Sequence, residues 1–463
     1  MDDKMTRREA LRNMFLAGVG LAFCGPLLRD SARAATLPGA PAGFPAMNPW
    51  TEAPEGSKID TRTWSKMGET LGMLGLGCMR LPTLGGASGG FGRNAPLDQE
   101  AVNAMVDYAI AHGVNYFDTA PAYGQSEVVT GNALSRHPRE SFKIATKISN
   151  MNGRATLEAG QQMFETSLNN LQVGYIDFLL LHNLQDINGF NSRFGNNGLF
   201  DWLLEQKAKG RIRHIGFSFH GTNDSFPELV DRYDWDFVQI QLNYVDWKEM
   251  SRGWGGSSGN TSAEFLYNHL VGKGIPVLVM EPVKGGQLAN VDDNIASVMK
   301  ERHPDLTPAA NALTFVGSLP GVMVTLSGMS NMEQLKENVS LFTGFQPFDQ
   351  KEHDFMLTVA DLLKSRGQIP CTACAYCMPC PAGVDIPGNF KIFNSASDAL
   401  LSMDSVDPEK VEKRKDFLKL YNAQAKAIRA DACIGCNACL RKCPQHISIP
   451  QHMQRIRDLA AKI

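Results

Sequence analysis

The cysteines of this chain lie almost entirely in one short segment near its C-terminal end. Eight of the ten fall between Cys371 and Cys443, and only Cys24 and Cys78 lie elsewhere in the 463 residues. Clustering at such short spacing indicates a metal site rather than a disulfide network. The segment is therefore predicted to fold around metal, and a chain of this length has room for two to four domains.

The eight clustered cysteines form two runs, each followed directly by a proline. The first run reads C-x2-C-x2-C-x2-C-P and the second reads C-x2-C-x2-C-x3-C-P. Thiolates at two-residue intervals hold three corners of a cubane cluster, and the fourth ligand comes from the other run. A pair of zinc sites is the disfavoured alternative, because zinc modules use separated CxxC pairs. Two [4Fe-4S] clusters are predicted, one held by Cys371, Cys374, Cys377 and Cys443, the other by Cys433, Cys436, Cys439 and Cys380.

The N-terminus has the pattern of an export signal. Arg7-Arg8 precedes a short apolar run from Phe15 to Gly25, and Ala32-Arg33-Ala34 follows as an A-x-A cleavage pattern. Together they resemble a twin-arginine (Tat) signal over residues 1–34, with a plain Sec signal and a retained anchor as the alternatives. The apolar run is too short to span a bilayer. Residues 35–62, with five prolines, are predicted to be an extended linker.

The export signal and the cysteine runs support each other. A cluster must be inserted into a folded site, and the Tat route carries folded proteins whereas the Sec route carries unfolded chains. We therefore expect a periplasmic protein with no stable membrane span after signal cleavage. Lys and Arg number 45 against 48 Asp and Glu, a net charge of −3 with no basic block, so nucleic acid is not expected as a partner.

Between the linker and the cysteines, short apolar runs alternate with segments of helical periodicity. Eight such alternations favour a (β/α)8 barrel over residues 63–345, since an open doubly wound sheet usually begins with a Gly-rich fingerprint. Residues 346–463 are predicted to form a second domain. Three long loops, Gly85–Gly92, Asn183–Asn197 and Asp246–Ser262, are expected to overhang the C-terminal mouth of the barrel. The predicted strands are Leu71–Gly77, Asn115–Thr119, Phe142–Lys147, Asp177–His182, His214–Ser218, Phe237–Leu242, Pro276–Glu281 and Val322–Leu326.

Four ionisable residues fall at or just after the ends of adjacent predicted strands. Asp118, Lys147 and His182 end strands two, three and four, and Tyr123 follows strand two. Each alone could be structural, but together they converge on the rim where barrel enzymes build active sites. Tyrosine is a weak acid, and a lysine held by a carboxylate can lower its pKa. The four are therefore candidates for a proton-donating catalytic site.

The same residues carry a family resemblance. The segments Gly113–Ala120 and Tyr123–Glu127 resemble the aldo-keto reductase signature, and Asp118, Tyr123, Lys147 and His182 match its catalytic tetrad. The resemblance implies that a nicotinamide cofactor delivers hydride to a carbonyl carbon. It also implies that Tyr123 protonates the carbonyl oxygen, that His182 orients this oxygen, and that Lys147 with Asp118 tunes the tyrosine.

The resemblance also implies a nicotinamide site, with departures from the family pattern. Phe219-His220 stands where Asn is common after strand five, and Met280 stands where an aromatic residue usually stacks on the nicotinamide. The cation that usually grips the 2′-phosphate is missing. NADH and NADPH are therefore not distinguished, and a flavin is left open. The residues expected to contact the cofactor are Ser218, Gln239, Gly328, Ser330, Gln334, Glu337 and Asn338.

The C-terminal domain resembles α-helical ferredoxin domains, since a helical stretch around Val411–Ile428 separates the two cysteine runs. The whole chain thus resembles ferredoxin-fused aldo-keto reductases. We predict an oxidoreductase acting on a small carbonyl or alcohol, whose clusters exchange electrons with a redox partner protein. Two alternatives stay open: an electron-transfer subunit whose barrel is a binding scaffold, and clusters with a purely structural or sensing role.

Overall fold

The structure is a computed structural model that describes residues 52–84, 96–149, 155–250, 261–365, 367–445 and 447–463. The predicted signal peptide, most of the linker and the loop Gly85–Gly92 lie outside these ranges. None of the helices in the described ranges combines the length and the apolar composition needed to cross a bilayer.

Eight parallel strands form a closed barrel, which confirms the predicted fold. A separate antiparallel hairpin of β1 (Thr61–Trp64) and β2 (Glu69–Gly72) precedes the barrel. The first barrel strand, β3, pairs with both β4 and the last strand, β10, which closes the sheet. The barrel strands are β3 (Leu74–Gly77), β4 (Tyr116–Asp118), β5 (Lys143–Ile148), β6 (Ile176–Leu184), β7 (Ile212–Phe219), β8 (Phe237–Gln241), β9 (Val277–Met280) and β10 (Val322–Ser327).

The two-residue period of the strands explains why the barrel interior has an apolar part and a polar end. Along β6, Phe178, Leu180 and His182 share one face, and along β4 Tyr116 shares a face with Asp118. Phe178, Leu180 and Tyr116 belong to a buried apolar cluster. The same faces end in ionisable groups, so the barrel has an apolar lower interior and a polar upper end.

Helices connect the barrel strands, and most begin at a side-chain cap. Asp98, Thr156 and Thr307 each accept a hydrogen bond from a backbone N–H in the first turn of the helix that follows. The helices of this region are α1 (Gln99–Ala111), α2 (Ser126–Leu134), α3 (Leu157–Leu171), α4 (Ile187–Phe190), α5 (Leu199–Ala208), α6 (Phe226–Asp231), α7 (Ala263–Gly272), α8 (Asp293–Arg302), α9 (Pro308–Gly317), α10 (Met332–Phe342) and α11 (Gln350–Ser365).

The second domain is helical in its described residues, as predicted. Its apolar core is separate from that of the barrel and includes Phe390, Phe393, Phe417 and Met453. Pro408–Ala423 accounts for most of the helical stretch expected between the cysteine runs, and a 3-10 turn at Lys426–Ile428 follows it. The helices are α12 (Ile386–Asn394), α13 (Ser397–Leu400), α14 (Pro408–Ala423) and α15 (Ile449–Ala460).

Both predicted boundaries of the barrel, 63–345, need correction. Ile59 lies within the predicted linker 35–62 but is buried in the barrel core, and β1 begins at Thr61. At the other end, Met356 and Val359 of α11 are buried in the same core. The barrel unit therefore extends at least from Ile59 to α11, because apolar residues on both flanks complete its outer layer. The cluster domain begins after α11 rather than at residue 346.

The predicted loop Asn183–Asn197 is also more ordered than expected. It continues β6 to Leu184, forms α4, and then forms a π-helix over Asn191–Gly195. Arg193 of the π-helix donates from Nη1 to the carbonyl of Asn183 and from Nη2 to that of His182. This turn therefore braces the end of β6. The central part of the predicted loop Asp246–Ser262 lies outside the described residues.

Candidate active site

Asp118 and Lys147 form a buried ion pair at the upper ends of β4 and β5. Lys147 Nζ donates to Asp118 Oδ1 at 2.7 Å and to the carbonyl of Thr119 at 2.7 Å. Burial raises the pKa of Asp118 above its ordinary value, although Lys147 acts in the opposite direction. Burial thus has a larger effect on the pKa of Asp118 than Lys147 has. The two side chains form a buried, hydrogen-bonded ion pair.

Tyr123 lies in a 3-10 turn directly after β4, over the lysine. Lys147 Nζ is 5.0 Å from the centroid of the Tyr123 ring, and the His182 ring meets that ring edge-on at 5.9 Å. The structure therefore brings the four predicted residues into one site. The barrel supplies a phenol, an imidazole and an ion pair within contact of one another.

Burial outweighs any effect of Lys147 on the pKa of Tyr123. This pKa lies well above its usual value, because of burial first and then because of neighbouring Tyr376 and Asp118. Lys147 is held by Asp118 and lies 5.0 Å from the tyrosine ring, which is the predicted arrangement, but the net shift is upward. Tyr123 is therefore protonated at neutral pH, which is the form that a proton donor needs.

His182 is buried and neutral. Burial lowers its pKa well below the ordinary value, and Lys147, His220 and Arg193 lower it further. Its Nδ1 lies 2.5 Å from Ser149 Oγ, which fixes the ring orientation. Nε2 is then the ring nitrogen that can hydrogen-bond to a substrate oxygen without adding charge to the site.

The nicotinamide end of the expected cofactor site has an unsatisfied polar atom. Ser218 and Gln239 are register partners on β7 and β8, and both are buried. Ser218 Oγ accepts from the backbone N–H of Asn183 at 2.8 Å. Within the described part of the chain, Gln239 Oε1 has no hydrogen-bond partner. A buried acceptor of this kind fits a carboxamide N–H, so these two residues can hold a nicotinamide.

The residues expected at the adenine end hydrogen-bond within the barrel. Asn338 Nδ2 donates to Ser327 Oγ at 2.9 Å, and Glu337 accepts from Thr307 at 2.5 Å. The N–H of Ser330 donates to Gln334 Oε1 at 2.7 Å. Beside them, the Arg80 side chain covers Gly328, with its Cδ 3.4 Å from the position of an added Cβ. The side chains expected at the adenine end are thus engaged in hydrogen bonds within the barrel. At the nicotinamide end, by contrast, Gln239 Oε1 has no partner among the described residues.

The cysteines of the first predicted cluster surround one cavity. Cys371, Cys374, Cys377 and Cys443 all line one cavity, together with Phe390. Burial raises the pKa of Cys371 and that of Cys443 to about 12, so these thiols would have to release protons to bind iron. The set unites three residues of the first run with one of the second, which is the grouping that the spacing predicts.

The cysteines of the second predicted cluster surround another cavity, nearer to solvent. Cys380, Cys433, Cys436 and Cys439 line this second cavity together. Cys436 is exposed, and neighbouring Ile434 keeps 72% of its surface exposed. In the first set, by contrast, Cys377 and Cys443 are buried. The two sites thus differ in their access to solvent.

The loop of the first cysteine run lies against the mouth of the barrel. Arg80, just after β3, donates from Nη2 to the carbonyl of Thr372 at 2.5 Å, and Gln287 donates to the carbonyl of Cys371. Gly285, with φ of 65°, lies so close that an added Cβ would be 2.4 Å from the Thr372 carbonyl oxygen. Only glycine fits there, so the first cluster loop is seated closely on the barrel.

A buried polar network joins the two domains beside this loop. The side-chain amides of Gln241 and Gln445 donate to each other at 3.0 and 3.1 Å, and Gln445 also donates to Glu281 at 2.9 Å. Gln241 Nε2 also donates to Asp246 Oδ2, and Asp246 forms an ion pair with buried Lys284. Burial raises the pKa of Glu281 to about 7. Gln445, two residues after Cys443, therefore ties the first cluster site to the end of β8.

Several residues that border the site were missed by the sequence reasoning. Arg80, Gln241, Asp246 and Lys284 are ordinary polar residues in the sequence, and their partners are distant along the chain. Tyr376 did carry a signal, because it is the one bulky side chain between Cys371 and Cys377. An aromatic residue among small ones in a cluster loop is a candidate for contact with another surface.

Comparisons with known proteins agree with this description. Residues 74–356 match the profile of the aldo/keto reductase family, and residues 370–448 match that of the 4Fe-4S dicluster domain. The chain is 25% identical over 314 residues to L-galactose dehydrogenase of Arabidopsis thaliana, covering 62% of this chain and 89% of that protein. It is 27% identical over 314 residues to Protein tas of Escherichia coli, covering 56% of this chain and 89% of that protein.

A solved structure shows the same fold. It is the holo form of an aldo-keto reductase from Bacillus halodurans, with a TM-score of 0.52 and 22% identity, covering 65% of this chain and 96% of that one. The likeness extends over the barrel.

Proposed function

The chain belongs to the aldo/keto reductase family, and on that premise we propose an exported enzyme that interconverts a carbonyl and an alcohol in the barrel while two [4Fe-4S] clusters exchange electrons with a partner protein. The observation that carries the proposal is the contact between the two sites. Arg80 and Gln287 of the barrel donate to the carbonyls of Thr372 and Cys371 in the first cluster loop, and Tyr376 of the same loop is among the groups that raise the pKa of Tyr123. The proton donor and the first cluster loop are thus neighbours.

The residues of the barrel can carry out the acid–base part of a carbonyl reduction. Tyr123 is protonated and donates to the carbonyl oxygen, while His182 Nε2 holds that oxygen in place. The Asp118–Lys147 pair puts a cation 5.0 Å from the tyrosine ring, where it stabilises negative charge that develops on the phenol oxygen. In the oxidation of an alcohol the same residues act in reverse. Ser218 and Gln239 would hold a nicotinamide, which supplies hydride when bound.

The unequal exposure of the two cysteine sets supports exchange with a partner protein. Iron–sulfur clusters supply one electron at a time, and transfer between proteins requires a cluster near the surface. The set with exposed Cys436 and Ile434 is the one that a partner can approach, and the set with buried Cys377 and Cys443 adjoins the barrel. Ile434→Glu should therefore slow reduction of the clusters by a protein donor and not by dithionite.

The enzymatic proposal is tested by anaerobic purification of the full chain with iron, sulfide, flavin and nicotinamide quantified together. The protein is then supplied with NADH, NADPH or reduced methyl viologen and a panel of methylglyoxal, glyceraldehyde and benzaldehyde. Reduction of at least one carbonyl, lost in Tyr123→Phe with full iron content, is the expected result. Iron-replete protein that reduces none of them with any donor would favour the alternative of a barrel that serves as a binding scaffold.

Periplasmic location by Tat export remains a proposal from residues 1–34. Exchange of Arg7-Arg8 for Lys-Lys should leave the protein in the cytoplasm with its clusters inserted, because targeting fails while folding does not. Cell fractionation with iron analysis measures both properties. Normal export of this variant would reject the Tat assignment.

A further inference from the structure

The last part of the chain differs in charge from the rest of the molecule. Residues 424–463 contain seven Lys and Arg and two Asp, a net charge of +5, whereas the whole chain has a net charge of −3. The cations are spread along this segment, so the sequence shows no basic run. They can act as one surface only where the fold brings them together.

Two of these cations lie directly beside the second cysteine set. Arg441 and Lys442 belong to the 3-10 turn Leu440–Lys442, which follows Cys439 without a gap. The backbone N–H of Lys442 donates to the carbonyl of Cys439 at 3.2 Å, and this bond holds the turn against the site. Arg441 and Lys442 are both exposed. The turn therefore places two positive charges next to the second cavity.

A third cation reaches the same site from another part of the chain. Lys426 is exposed and begins the 3-10 turn Lys426–Ile428. The carbonyl oxygen of Ala427 in this turn lies 3.5 Å from the position of a Cβ added to Gly383. The N–H of Gly383 donates in turn to the carbonyl of Cys380 at 2.9 Å. The second cysteine set therefore has exposed basic residues near Cys380 as well as after Cys439.

The charge of these three cations is not compensated nearby. Within the described part of the chain, Lys426, Arg441 and Lys442 form no ion pair, and the ion pairs of the cluster domain involve other cations. Asp431 is the one acidic residue between Lys426 and Lys442 in the sequence. Its carboxylate accepts from the hydroxyl of Tyr421 at 2.9 Å. The surface around the second set is therefore positive.

The same surface has an apolar residue next to the cysteines. Ile434 keeps 72% of its surface exposed, and Cys436 two residues later is exposed as well. An apolar centre with a charged rim is the usual anatomy of a protein docking site. A lipid surface could also attract the cations, but it exchanges no electron with the exposed second set. The position of the charges around Cys436 therefore favours a redox protein.

We propose that the basic surface formed by Lys426, Arg441, Lys442 and Ile434 is the docking site for an electron-transfer protein with an acidic face. The inference rests on the proposed function for the exchange of electrons with a partner, and it adds the charge of that partner. In the reducing direction, the partner loses one electron and the second site gains it, and no bond forms or breaks. Opposite charges speed the encounter of the two proteins and fix their orientation.

The test measures binding of an acidic flavodoxin to the full holoprotein by isothermal titration at low ionic strength, with both proteins oxidised. Arg441→Glu/Lys442→Glu should raise Kd by about tenfold or more, because attraction becomes repulsion. Lys300→Glu/Lys351→Glu is the matched control, since it makes the same change of charge at exposed residues of α8 and α11 in the barrel unit. This control should leave Kd at the wild-type value.

A second variant guards against damage to the cluster site. Lys442 adjoins Cys443, whereas Lys426 lies in a turn without cysteine, so Lys426→Glu should keep the full iron content and still raise Kd. Stopped-flow mixing with flavodoxin hydroquinone then gives the rate of electron transfer, which should fall with added salt in the wild type and depend less on salt in the charge variants. Reduction by dithionite should be equal in all of these proteins.

Three results would overturn the inference. They are no binding of flavodoxin by the wild type, equal Kd values in the wild type and both charge variants, and binding to phosphatidylglycerol vesicles in place of flavodoxin. The last result would assign the basic surface to a lipid surface. Failure of the enzymatic proposal gives a different result, because flavodoxin binding would keep its dependence on charge while no carbonyl in the panel is reduced.

Discussion

The barrel and the cluster domain reach a defined structure by different means. The barrel closes eight strands around a continuous apolar core, and its tetrad is buried and held by hydrogen bonds within that core. The cluster domain has a smaller core, and two of its buried members, Cys377 and Cys443, are themselves expected iron ligands. Packing therefore organises the barrel, whereas we expect iron binding to contribute to the organisation of the cluster domain.

Cys380→Ala tests the cluster side of this comparison and has the largest expected effect. The structure groups Cys380 with Cys433, Cys436 and Cys439, so its loss should remove the second cluster and reduce iron from about eight atoms per chain to about four. Iron analysis with EPR measures the result. The tetrad should be unaffected, and loss of the first cluster instead would refute the crossed grouping.

Tyr123→Phe tests the barrel side. Removal of the proton donor without a change in packing should lower carbonyl turnover by about 10² to 10⁴, the usual contribution of a general acid. Iron content should stay at the wild-type value, because the cysteine sites are organised independently. Turnover equal to that of the wild type would show that the tetrad has no catalytic role.

Gly285→Ala tests the contact between the barrel and the first cluster loop. An added Cβ would lie 2.4 Å from the Thr372 carbonyl oxygen, so the first cluster loop must shift away from the barrel. Gly286→Ala is the matched control, since Gly286 also has positive φ, 96°, but nothing within 4 Å of an added Cβ. We expect the first substitution to raise hydrogen exchange around Cys371–Cys377 far more than the second. Equal effects would attribute the change to backbone strain alone.

The pH dependence of stability tests the contribution of one buried histidine to the cluster domain, and it has the smallest expected effect. Burial, with a contribution from Arg455, lowers the pKa of His452 in the cluster domain to about 4. The unfolded chain takes up this proton near pH 6.5, so the stability held by neutral His452 is present above pH 6.5 and is lost as pH falls toward 4. The loss should reach about 3 kcal/mol by pH 4, and His452→Gln should flatten it in thermal melts followed between pH 4 and 7. Parallel curves for the two proteins would reject this assignment.

Local patterns in the sequence predicted more than contacts between distant segments did. The period of the strands predicted the barrel, and the two-residue spacing predicted three members of each cysteine group, because these depend on neighbours in the chain. The fourth member, Cys443 or Cys380, followed from the ligation pattern of two-cluster ferredoxins. The positions of Asp118, Lys147 and His182 followed from the rule that parallel strands end on one rim. The raised pKa of Tyr123 could not be predicted, since it depends on burial and on Tyr376, about 250 residues away. The limits of the barrel were missed because Ile59 and Met356 reveal their burial only after folding.

Anaerobic stopped-flow spectroscopy tests most directly the central claim that the tetrad and the first cluster form one functional unit. Full-length protein is reduced with dithionite, freed of excess reductant and mixed with the carbonyl that the wild type reduces fastest. Two reduced clusters hold two electrons, the number that one carbonyl consumes, so the account predicts that the cluster absorbance returns to its oxidised value in the wild type and far more slowly in Tyr123→Phe. If the clusters stay reduced while the same protein reduces the carbonyl with NADH or NADPH, the barrel and the cluster domain work separately and the claim is contradicted.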